Sequence, residues 1–74
     1  MAVVKVIELL AESSESWEAA AQEAVAEAAK TVDNIKCVYI ENCQAVVENN
    51  KIIRYRVNVK ISFLVEKTSK VDYI

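Results

Sequence analysis

The sequence predicts an α+β domain of β-α-β-β order, a three-stranded antiparallel sheet partly wrapping one helix, and three observations carry that expectation. Residues 51–66 alternate without a break: Ile53, Tyr55, Val57, Val59, Ile61, Phe63 and Val65 point one way, and Arg54, Arg56, Asn58, Lys60 and Ser62 the other. That is the pattern of a long half-buried strand. Trp17, Ala20, Ala21, Ala24, Val25, Ala28 and Val32 recur instead at helical spacing. A short β-branched run at 3–10 and a strand at 35–47 lie on either side of that helix.

The first strand, 3–10, is apolar enough to be buried on both faces or nearly so. Glu12-Ser13-Ser14-Glu15-Ser16 interrupts it. Ser13 is the expected N-cap, because its hydroxyl can accept from a free amide of the first turn, and Glu15 and Glu18 then lie where the helix dipole favours negative charge. The helix should begin at about residue 14. Its buried stripe is mostly alanine, which lets its axis approach the sheet closely, with Trp17 as the one large anchor near the N-terminal end. Asp33-Asn34 should end it, since either residue tolerates the left-handed region.

Glu48-Asn49-Asn50-Lys51 reads as the turn that folds the second strand onto the third. A two-residue loop pairs 48 with 51, 47 with 52, and so on. That register puts Val38, Ile40 and Val46 on the helix side, and Cys37, Tyr39, Glu41 and Cys43 on the opposite side with the basic row of the third strand. The helix returns the chain so that strands one and two run in the same direction, while the hairpin reverses strand three. With strand three in the middle, every pairing is antiparallel and the order is 1-3-2.

At about 3.3 Å per residue the third strand would run roughly 50 Å, whereas a helix of about 20 residues covers only about 30 Å. Part of the apolar row is left without cover inside one chain. A chain of 74 residues, 54% of them hydrophobic, has two cysteines and no other staple for a small scaffold, so self-association is the expected remedy.

Histidine, glycine and proline are all absent. No imidazole means no Ser-His-Asp triad, Cys-His pair or histidine metal ligand, and no glycine means no dinucleotide fingerprint or phosphate-cradling loop of the usual kind. No nucleophile has a matched base, so an enzyme is not expected. The net charge of −2 recommends neither nucleic acid nor an anionic membrane as a partner. Residues 1–50 carry nine acidic and three basic side chains, and residues 51–74 two acidic and six basic, so an acidic helix and a basic strand face form distinct surfaces. No run approaches the ~18 apolar residues of a membrane span, and the start lacks a small-residue cleavage pattern, so a cytosolic protein is expected. Residues 68–74 have no usable periodicity and read as a C-terminal tail behind a domain of residues 1–67; Tyr73 and Ile74 could alternatively dock on a neighbour.

Three segments resemble the dodecins: Ser13 to Val25, Thr31-Val-Asp-Asn-Ile35, and Tyr55-Arg-Val-Asn-Val-Lys-Ile-Ser-Phe63, preceded by a matching strand Lys5-Val-Ile-Glu-Leu-Leu10. The resemblance covers roughly residues 3–67. It implies a subunit of a hollow homododecamer with cubic 23 symmetry, a non-enzymatic protein that stores or buffers a flavin such as riboflavin or flavin mononucleotide (FMN) near two-fold interfaces. The family's ring-stacking tryptophan falls at Cys37 and its ring-reading glutamine at Arg56. An aromatic platform is worth about 0.5–1.5 kcal/mol beyond area burial, and a guanidinium donates without accepting, so the site is altered in both respects.

Cys37, Tyr39 and Arg56 are therefore the candidate site residues. Tyr39 can restore some stacking or serve as interface packing. Arg56 can take an anion such as phosphate or pair with Glu41 across an interface, since its fork matches either. Cys37 and Cys43, six residues apart or about 20 Å along a strand, cannot bridge within a subunit and read as reduced thiols. Trp17 reads as a helix-to-sheet anchor rather than a ligand platform. The rival function is a flavin-free structural or cation-binding shell, in which a symmetry axis gathers Glu8, Glu48 or Glu66 into a ring of oxygen ligands for Ca²⁺ or Mg²⁺.

Overall fold

The computed structural model describes residues 3–65. Strand β1 spans Val3–Ser13, helix α1 Trp17–Ala28, strand β2 Ile35–Glu48 and strand β3 Lys51–Val65. The sheet order is β1-β3-β2 with both pairings antiparallel, as the chain directions require. Residues 68–74, read from sequence as a tail, and Glu66 lie outside the described residues.

The junction between β1 and α1 differs from the expectation. Ala11, Glu12 and Ser13 continue the ladder opposite Val57, Arg56 and Tyr55, so β1 runs to Ser13 rather than stopping at residue 10. Pairing with the central strand overrides the polar composition of this stretch. The N-cap is Ser16, not Ser13: its backbone is extended at φ −171, and its hydroxyl accepts from the Ala19 amide at 3.0 Å. The Ser13 hydroxyl accepts from the Glu15 amide at 3.0 Å, a local turn that leads into the cap.

Helix α1 ends earlier than the sequence suggests, at Ala28, with the Val32 amide donating back to the Ala28 carbonyl at 3.0 Å. Asn34 does take the left-handed region, at φ 62, and there it turns the chain into β2. Asn49 and Asn50 both have positive φ, 52 and 65, and form the expected two-residue hairpin loop.

The core lies between the alanine stripe and the middle of β3. Ala20, Ala21, Ala24 and Ala28 pack on Val57, Val59 and Ile61, the three residues of β3 with no exposed surface, while Ile7, Leu9, Ala11, Val25, Val32 and Ile35 close the margins. Methyl side chains bring the helix backbone close enough to seal the strand without bulky residues. The seal is short. The 12-residue helix measures about 18 Å at 1.5 Å per residue, against about 50 Å for the 15 residues of β3.

Pairing of β2 with β3 begins and resumes in the register set by the turn, but shifts by one residue between the two stretches. Glu48 opposes Lys51 and Val47 opposes Ile52; the register then moves, so that Val46 faces Arg54 and Cys43 faces Val57, and returns at Ile40 opposite Val59. Of the three irregularities, those at Ile53 of β3 and Glu41 of β2 are bulges of opposite sense that cancel, and a third, at Lys36 of β2, sets Ile35 opposite Phe63. Since side chains alternate with period two, the intervening residues change face. Cys43, expected on the outer face, lies on the helix side, and Val46, expected on the helix side, lies opposite Arg54 on the outer one.

Candidate functional site

The face of the sheet turned away from α1 is built in rows by the two ladders. Leu64 has Val4 beside it; Ser62 lies between Val6 and Cys37; Lys60 between Glu8 and Tyr39; Asn58 between Leu10 and Asn42; and Arg56 between Glu12 and Gln44. Every second residue of β3 on this face is polar or basic until Leu64, which follows from the alternation that buries Val57, Val59 and Ile61 on the other side.

Cys37 and Tyr39 are together, as expected: they lie two residues apart on this face, both exposed, with Tyr39 63% accessible. Arg56 shares the face but lies four residues along β3 from Lys60, the partner of Tyr39, or about 13 Å away. Within the chain, the Arg56 partner is Glu12, with Arg56 Nε donating to Glu12 Oε2 at 2.8 Å. Arg54 Nε approaches the other oxygen of the same carboxylate at 3.2 Å. Glu41, proposed from sequence as a partner for Arg56 between subunits, faces Lys60 within its own chain at 3.8 Å.

Sequence reasoning missed Glu12 and Arg54 as members of this cluster because Glu12 reads as part of the loop before the helix. The signal that would have found it is the alternation of Val6, Glu8, Leu10 and Glu12, which continues the outer face past residue 10.

Trp17 behaves as the expected anchor. Its Nε1 donates to the Gln44 carbonyl of β2 at 2.8 Å, and its ring meets Tyr55 edge-on at a centroid distance of 4.9 Å. These contacts tie the first turn of α1 to both strands of the hairpin. Cys37 and Cys43 are free thiols and, after the register shift, lie on opposite faces.

The donor set fits a flavin in part. Tyr39 offers an accessible ring and Arg56 a donor, whereas Cys37 presents no ring, so one chain supplies only one wall of a pocket. For a cation, no group of three or more Cys, Asp or Glu side chains converges among the described residues, and Glu66 is not one of them. A site of three or more such side chains among the described residues would therefore need more than one copy. Among the described residues no helix is long and apolar enough to cross a membrane.

The sequence pattern of the family described as Dodecin matches residues 3–66. Calcium dodecin of Mycobacterium tuberculosis is 38% identical over 63 residues, a span of 85% of this chain and 89% of that protein. Its crystal structure, described as having a novel calcium-binding site, superposes with a TM-score of 0.76 at 33% identity, covering 93% of this chain and 99% of that one. An arginine-to-alanine mutant of the Thermus thermophilus dodecin superposes with a TM-score of 0.86 at 29% identity, covering 92% and 100%. Both flavins and calcium are thus ligands within this group of small ligand-binding proteins. With 64 consecutive positions matched and the same β-α-β-β fold, this chain belongs to the dodecin family.

Proposed function

We propose that the protein is a non-enzymatic ligand-binding and storage protein that works as a closed homo-oligomer, a hollow dodecamer, in a reducing cytosolic compartment where its free thiols are stable. One observation carries this reading: the strands expose more apolar surface than α1 can cover. Val3, Val4, Val6 and Leu10 of β1 are 61, 55, 58 and 52% accessible, and Val38 and Ile40 of β2 are 37 and 43% accessible. Monomers rarely leave this much apolar side chain in water on both faces of a sheet, and two long edge strands add unpaired backbone to it. Copies packed over these residues would bury both.

The ligand we favour is of flavin class, held where copies meet by Cys37, Tyr39 and Arg56, with Tyr39 supplying the ring that Cys37 lacks. A donor-only Arg56 favours the acceptor edge of a planar heterocycle or an anionic group. Quenching of flavin fluorescence on titration with the purified protein tests it. Saturation at micromolar concentrations is expected, and absence of quenching at several hundred micromolar protein would discard the flavin reading.

A second reading, a calcium-binding shell, is favoured by the relative that carries calcium in its name. In this reading Glu8 or Glu48 from several copies ring a symmetry axis, where hard oxygen ligands suit Ca²⁺ or Mg²⁺. Elemental analysis after desalting checks it: a stoichiometric divalent ion and a melting temperature lowered by chelator are expected, and metal-free protein of unchanged stability would remove it.

A further inference from the structure

We propose that residues 67–74 turn back at Thr68 and Ser69 and seat in the groove at the open end of the helix side, between the α1–β2 linker and the paired ends of β1 and β3 of the same chain. The groove is a consequence of where α1 stops. Val3 opposite Val65 and Lys5 opposite Phe63 lie on the helix side, because side chains alternate outward from the row of Ile7 and Ile61. Helix α1 ends at Ala28 and does not extend over them. A cavity of about 400 Å³ is left there, walled by Lys5, Thr31, Val32, Asp33, Phe63 and Val65. The Leu64 amide donates to the Asn34 carbonyl at 3.0 Å, which pins the linker to β3, and Val3 beside Val65 is 61% accessible.

Continuity, composition and charge select the occupant. Strand β3 ends at Val65, itself part of the wall, so the chain that follows starts at the mouth of the groove. Thr68 and Ser69, whose hydroxyls favour local turns, are placed for a reversal. At about 3.3 Å per residue the return from Lys70 to Ile74 spans about 16 Å, the same length as the stretch from Lys67 back to Phe63. That return brings Val71, Tyr73 and Ile74 to the apolar surface of Val32 and Phe63, whose burial supplies the driving force.

The charges match as well. Among the described residues Lys5 and Asp33 line the groove without an ion-pair partner, and α1 has no basic residue in its last turn to complement its carbonyl end. Lys67 and Lys70 supply cations for Asp33 and the helix end, and Asp72 an anion for Lys5. Exposed pairs of this kind add little affinity but fix which way the segment lies. The family pattern ends at residue 66, so this seat is a feature of the chain beyond the family match.

Hydrogen exchange read by mass spectrometry, on the assembled full chain and on a chain ending at Glu66, tests the seat. Amides of residues 67–74 should exchange at least about tenfold more slowly than in a free peptide of that sequence, and those of residues 31–35 about tenfold faster once the segment is removed. Free-peptide rates at 67–74, or unchanged rates at 31–35, would overturn it. Carbodiimide cross-linking of protein assembled from isotope-labelled and unlabelled chains decides whose groove is filled. Links from Asp33 to Lys67 or Lys70 within chains of one mass uphold the proposal, whereas links that join labelled to unlabelled chains put the segment on a neighbouring copy and remove it.

Discussion

The two faces of the sheet are completed in different ways. On the helix side, Val57, Val59 and Ile61 are sealed inside the chain by four alanines of α1. On the outer side the chain supplies no covering layer. Arg54 and Arg56 share the carboxylate of Glu12 and Lys60 faces that of Glu41, while Val4, Val6, Leu10 and Tyr39 stay in water. A 12-residue helix can close one patch of one face; the rest of a 15-residue strand has no cover from α1. The small core follows from that length ratio, and the open outer face from α1 lying on the other side of the sheet.

The sharpest way to break the helix side is to hollow it. Ile61→Ala, at a position with no exposed surface, should cost about 3 kcal/mol, read from urea unfolding at fixed protomer concentration. Overfilling the same contact with Ala20→Leu should cost about 1–3 kcal/mol, because the close helix approach leaves no space for three more carbons. A cost below about 0.5 kcal/mol for either would mean that the interior is looser than the packing implies.

The open part of the sheet should respond differently. Ile40→Lys, at 43% exposure, should leave the secondary structure of the chain intact but reduce the mass seen by light scattering, because a buried charge is penalised only where another copy covers the site. An unchanged mass would show that copies do not meet at this residue. At the hairpin, Asn50→Ala should cost about 1 kcal/mol in melting experiments, since φ 65 is strained for a residue with a Cβ and no side-chain amide to compensate. The smallest effect is expected from Glu12→Gln. Its ion pairs are about a third or more exposed, so the loss should stay within about 1 kcal/mol and shrink with added salt.

Much of the fold was legible because it depends on local patterns. The alternation of β3 survives in the sequence since the strand is central and only one of its faces is covered, and Asn49-Asn50 marks the hairpin by its tolerance of positive φ. The start of α1 was not legible: Ser13 reads as the cap from sequence, but the ladder with β3 holds it in β1, and Ser16 caps the helix. The candidate site divides in the same way. Cys37 and Tyr39 were placed on one face correctly because they lie between the Glu41 and Lys36 irregularities, where the register agrees with the turn. Cys43 was misplaced because it lies between the Glu41 and Ile53 bulges.

The sequence by itself determined the element types, their order and the sheet topology, because periodicity, turn chemistry and chain direction act over a few residues at a time. Tertiary structure alone decided which carboxylate meets which arginine and which thiol faces outward. Glu12 and Arg56 are 44 residues apart, and their meeting depends on the last three pairs of the β1 ladder. The side on which Cys43 emerges depends on the single-residue bulges at Ile53 and Glu41 that bracket it, a property of the paired strands and not legible in either strand's own pattern.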